Sequence, residues 1–192
     1  MNNMIFAVIS VQLFISLLIP VFVEAQTDNN PVVIQYGDTT MDRREFELEF
    51  EMVMVLKAVE NSEPIKSQSQ IYLMQQRYLE QRAREMVLSD LAAQRGITVS
   101  DSQLDDMLDE YMKSLGFPGY SMKNMQKLGF ANEKPIRKLL QRREIISRVL
   151  AEINTELKAG NNKAILEAEL DTLYMESGIR VFPEHLQRTF MH

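Results

Sequence analysis

Apolar side chains recur along most of this chain at the spacing of one helix face, and only near its two ends at the spacing of strands. The clearest run is Leu104, Met107, Leu108, Tyr111 and Leu115, which fall at i, i+3, i+4, i+7 and i+11 of one face. Ser100 precedes it with Gln103 three residues on, a capping box that places a helix start there. A second stripe, Ile136, Leu139, Leu140, Ile146, Val149, Leu150, Ile153 and Leu157, predicts a long helix opened by Asn132, with Pro135 in its first turn, ending near Lys158. Between them Ser121 caps a short helix to Leu128, closed by Gly129.

Upstream, Asp42 and Glu45 have capping spacing, so a first helix runs to about Glu60 and stops before Pro64. A second begins near Ser67, carries Ile71, Met74, Tyr78, Val87, Leu88, Leu91 and Ala92 inward, and ends at Arg95-Gly96. A sixth helix covers residues 163–176 and stops at Gly178. Residues 31–36 and 179–182 are short β-branched runs bounded by Gly37-Asp38 and by Pro183. A lone strand leaves its backbone groups unpaired, so these two are expected to pair and bring the domain ends together. The expected fold class is mainly α, with about six helices and a small two-stranded sheet.

The N-terminal 25 residues have another pattern. Residues 2–23 carry no charge, residues 5–19 are almost wholly apolar, and Pro20 and Val23-Glu24-Ala25 follow, as in a secretory signal cut before Gln26. The apolar run also approaches the roughly 20 residues of a membrane span, so a cleaved leader and a retained inner-membrane anchor both remain open. After it come a polar linker at residues 26–31, one domain at residues 32–183 and a flexible tail at residues 184–192.

Composition narrows the chemistry. The chain has no cysteine, which excludes disulfides, a thiol nucleophile and thiolate metal ligands, and which in an exported protein fits a bacterial periplasm. Its net charge is −6, or −5 once Glu24 leaves with the signal, giving no general drive toward nucleic acid. His185 and His192, the two histidines, fall in the expected tail with Met191, so neither a catalytic triad nor a metal site is expected. Asp105, Asp106 and Asp109 lie off the apolar stripe near a helix N-terminus, as a solvated face would. Arg77, Arg82, Arg84 and Arg95 on the second helix, and Arg137, Lys138, Arg142, Arg143 and Arg148 on the fifth, read as solvated faces paired with neighbouring glutamates. Beyond residue 25 there are eleven methionines and no tryptophan. Met107, Met112, Met122 and Met125 gather near Phe117, Tyr120 and Phe130. Methionine repacks against varied apolar partners and also fills irregular cores, so this region is either a binding groove or packing.

The stretch Arg84-Glu-Met-Val-Leu-Ser-Asp-Leu-Ala-Ala-Gln-Arg-Gly96-Ile-Thr-Val-Ser100-Asp-Ser-Gln-Leu104-Asp resembles the N-terminal chaperone domain of SurA-type periplasmic foldases. The likeness extends to Val32-Val33-Ile34, Gly37-Asp38 and Glu45-Phe46 upstream and to Arg142-Arg143-Glu144-Ile145-Ile146 downstream. It implies a helical array, related to PpiD and the trigger-factor C-domain, completed by a returning helix and strand. The chain departs from the pattern at Gln35-Tyr36, in place of Val-Asn, and in a turn after Gly37 one residue longer. It also departs where the family carries parvulin isomerase domains, because eleven residues separate Ile153 from Ile165 and a domain needs about 50.

The resemblance therefore implies an exported holding chaperone for unfolded or partly folded polypeptides, without ATP, cofactor or prolyl isomerase activity. Its expected client contacts are Met107, Met112 and Phe117 with Tyr120, Met122, Met125 and Phe130. A dedicated envelope-assembly or secretion component with a single partner is the competing reading. An isomerase with an unrecognised site is a third.

Overall fold

The computed structural model describes residues 30–61, 68–158 and 162–186. The expected signal, Pro64, His192 and the end of the tail lie outside the described residues. Those described form β1 (Val32–Tyr36), β2 (Thr39–Asp42), α1 (Arg43–Asn61), α2 (Gln68–Gln94), α3 (Asp101–Ser114), α4 (Met122–Lys127), α5 (Lys134–Glu156), α6 (Lys163–Glu176) and β3 (Arg180–Val181). A 3-10 turn, Pro183–His185, follows. The mainly helical class and all six helices agree with the periodicity. Among the described residues, no helix is long and apolar enough to cross a membrane.

The sheet is larger than expected. Its three strands run in the order β2-β1-β3, both neighbours antiparallel to β1. The pairing of the domain ends is present, with Ile34 opposite Val181 and Gln35 opposite Arg180. The unexpected strand is β2, in the short stretch between Gly37-Asp38 and the first helix, for which no element is expected from the pattern. Gly37 and Asp38 form a two-residue hairpin loop, with Gly37 at φ +55°, the sign that such loops require when glycine comes first. Asp42 both ends β2 and caps α1, its carboxylate accepting the Glu45 N–H at 2.8 Å.

The expected tail is also shorter at its start. His185 and Leu186 belong to the packed domain: His185 Nδ1 lies 2.6 Å from the Val32 carbonyl, its ring stacks on Phe182, and Leu186 is buried in the main core. Phe182 N–H reaches the Val33 carbonyl at 2.9 Å, so the sheet holds this turn in place.

Two apolar clusters organise the helices. The larger gathers β1, α1, most of α2, α3, α4 and the start of α5 around Phe46, Leu79, Leu108, Met112 and Ile136. Phe46 stacks on Phe50 at 6.1 Å and meets Tyr78 at 5.8 Å. The smaller lies between the C-terminal halves of α2 and α5, around Leu88, Ala92, Val149 and Ile153, with Leu166, Leu170 and Leu173 of α6 packed on it. The α2–α3 turn, which carries the family-like stretch, is a Schellman motif: Ile97 N–H bonds Ala92 O at 2.9 Å and Gly96 N–H bonds Ala93 O at 3.1 Å. Ser100 and Gln103 then form the expected reciprocal capping box.

The loop at residues 116–120 is pinned from both sides. Asp109 accepts the Tyr120 N–H at 2.9 Å, and buried Asn124 donates to the Gly119 carbonyl at 2.9 Å. Gly119 has φ +149°, and a Cβ there would lie 2.5 Å from the same Asp109 oxygen. Gly119→Ala is therefore expected to cost about 1–3 kcal/mol through backbone strain and loss of that bond, measured as a lower urea midpoint with unchanged slope.

Candidate client-binding surface

The seven residues expected to contact clients do not form one open groove. Met112 and Met125 have no exposed surface and sit in the main core. Met107, Phe117 and Phe130 are partly buried against that core. Tyr120 and Met122 are the exposed members, at 37% and 42%. The structure thus brings the set together mainly as packing between α3, α4 and the start of α5, which corrects the groove expected from sequence. The physical reason is geometric. Met112 continues the Leu104–Leu108 stripe one turn further, so it turns inward with it, and short α4 lays Met125 over the same cluster.

Around this packed centre runs a charged frame. The Tyr120 hydroxyl donates to Glu133, and that bond makes the phenol hold its proton more tightly than usual and keeps the Glu133 carboxyl below its ordinary range. Arg137 bridges Glu133 and Asp105, tying α5 to α3. Asp109 lies 2.6 Å from Lys113. The acidic face is therefore solvated, as expected, and also secures the loop. Arg84, Arg95 and Arg148 likewise pair with Asp171, Glu156 and Glu144.

Arg82 and Arg142 break that pattern. Expected on solvated faces, both are buried, and with Glu49, Glu85 and Tyr78 they form a charged cluster joining α1, α2 and α5. Arg142 grips Glu49 with both terminal nitrogens, at 2.8 and 3.1 Å, and Tyr78 donates to Glu49 at 2.6 Å. The Arg82–Glu49 contact at 3.0 Å and the Arg142–Glu85 contact at 2.8 Å are ion pairs by distance, although their Nε–H groups are not aligned as hydrogen bonds. The two charges of each sign cancel. The sequence held a signal for this: Glu49 lies on the stripe of Phe46 and Val53, Arg82 on that of Leu79, and Arg142 on that of Leu139, Ile146 and Val149. A charge on an apolar stripe points inward and needs a partner.

Burial alone pushes the Glu49 carboxyl up, but Arg142, Arg82 and the Tyr78 hydroxyl together hold it below its ordinary value of 4.5. A depressed folded-state value stabilises the protein above the unfolded value, and that stability fades as pH falls through the folded one. Thermal melts between pH 7 and pH 3 are expected to show Tm falling below about pH 4.5, with the drop reduced in Glu49→Gln.

Large apolar side chains stand exposed elsewhere. Leu48 of α1 is 61% exposed and Met175 of α6 81%, and Leu73 of α2 and Ile165 of α6 are also open to solvent. A shallow depression on α5 is lined by Ala151, Glu152, Thr155 and Glu156. Among the described residues, no group of three histidine, aspartate or glutamate side chains is placed to hold a metal ion. Comparison of the chain with protein-family models, with curated proteins and with solved structures finds no match.

Proposed function

We propose that this chain is an exported, SurA-like holding chaperone that binds unfolded or partly folded polypeptides without ATP and without prolyl isomerase activity. The observation that carries the reading is the spread of exposed large apolar side chains over four helices: Leu48, Leu73, Met122, Ile165 and Met175. They are scattered over a charged surface. Each offers a weak contact, and several together retain a chain whose apolar segments vary in spacing. The family-like α2–α3 turn and the returning α6–β3 segment support the same reading. An N-terminal signal would deliver the protein to the periplasm, free if cleaved and tethered to the inner membrane if retained.

Light scattering of several unrelated denatured proteins tests this. Aggregation of all of them is expected to fall at near-stoichiometric amounts of the chain, with no change on adding ATP. Protection of one client would favour a dedicated assembly partner, and protection of none would sink the proposal. Proline isomerisation in a test peptide is expected to proceed at the uncatalysed rate. The double variant Leu48→Lys/Met175→Lys is expected to lower holding capacity several-fold while changing stability by less than about 1 kcal/mol, because both side chains face solvent.

A further inference from the structure

We propose that α6 is a displaceable plug, and that the groove it covers between α2 and α5 receives an amphipathic helical segment of the client in its place.

Several observations separate α6 from the other long helices. None of its side chains is buried, whereas α3, with the same number of residues, buries three. It rests on the smaller cluster through Leu166, Leu170 and Leu173, one per turn, and reaches the main core only through partly buried Tyr174. Asn162 gives it no side-chain cap, a lack it shares with the much longer and better buried α5. A helix of this length is marginal without tertiary support. Its described polar ties to α2 come from one residue: Arg84 pairs with Asp171 at 2.7 Å and lies over the Tyr174 ring at 5.0 Å. That ion pair is about half exposed on both sides and adds little.

The groove, by contrast, is firmly built. With α6 seated, Ala92, Val149 and Ile153 on its floor are almost completely buried, and partly buried Leu91, Ile146 and Leu150 continue it. Its α2 rim carries Arg84. The α6 side chains seated there define what fits: leucines at i, i+4 and i+7, with a carboxylate between the second and third that reaches Arg84. Helical segments of that pattern are common in partly folded proteins. α6 also carries a second apolar stripe, Ile165, Ala168 and Met175 at i, i+3 and i+10, which faces solvent. Once α6 is released, both stripes add to the apolar surface offered to the client. Opening of this kind belongs to the weakly packed end of a domain's stability range.

This inference rests on the holding reading, and its test separates the two. The chain lacks cysteine, so Arg84→Cys/Asp171→Cys introduces the only thiols, which a disulfide-containing bis-maleimide joins and a reductant releases. The probe is a fluorescent peptide of residues 163–176 carrying Asp171→Ala, so that it needs no pairing with Arg84, which is replaced in both forms. It is expected to bind the released form and to bind the cross-linked form at least tenfold more weakly. Equal binding to both forms, or binding to neither, overturns the plug. In the unmodified chain, α6 amides are expected to exchange at least a hundredfold faster than those at the centre of α2, and equal protection also overturns it. Aggregation assays on the same two forms give the second readout. Equal holding by both would remove the groove from client binding and leave the holding reading intact. Absence of holding by the released form would remove the holding reading, while peptide binding and exchange still decide whether α6 opens.

Discussion

Arg142→Met, followed by urea denaturation, is expected to lower stability by about 3–5 kcal/mol, the usual cost of leaving a buried ion without its partner. Arg142 is only 8% exposed and meets Glu49 and Glu85 from one guanidinium. Its removal strands two carboxylates beside a single remaining cation, Arg82. Met preserves much of the side-chain volume, so the loss reports charge more than cavity. The double variant Arg142→Met/Glu49→Leu is expected to cost clearly less than the sum of the single variants, since it leaves Arg82 and Glu85 as a balanced pair 3.9 Å apart. A loss below about 1 kcal/mol in the single variant would mean that water reaches the cluster and screens it.

The second large effect concerns Met112, whose side chain is wholly buried. Met112→Ala is expected to cost about 2–5 kcal/mol through the lost transfer energy and the cavity left behind. Met112→Leu nearly conserves volume and is expected to cost less than about 1.5 kcal/mol, with client holding unchanged. Denaturation and light scattering on the two variants separate packing from contact. A Leu variant that stays stable but holds clients poorly would make Met112 a contact.

These two residues show where the sequence spoke clearly and where it misled. The helices were legible because periodic stripes and caps agree locally: Ser100 with Gln103, Gly96 after Arg95, Pro135 in a first turn. Strand β2 was hidden because Asp42 serves two elements, and its cap for α1 masked its place at the end of a hairpin. The methionine set was visible as a cluster, but a side chain's identity does not say which way it faces. Met112 faces inward and Met122 outward, and only the packing of α3 against α4 and α5 decides between them. The charge of Arg82 and Arg142 points to solvent, whereas their places on apolar stripes point inward, and the stripe decides. Their partner Glu49 lies 93 residues from Arg142, a pairing that only the assembled helices create.

In the proposed function exposed side chains bind apolar client segments, while Met112 and Met125 remain core. Methionine-methyl NMR tests this directly, because methionines lie both on the surface and in the core. On titration with a permanently unfolded polypeptide, the methyl signals of Met122 and Met175 are expected to shift and broaden while those of Met112 and Met125 stay in place. No shift at any methyl, or shifts confined to Met112 and Met125, would contradict it.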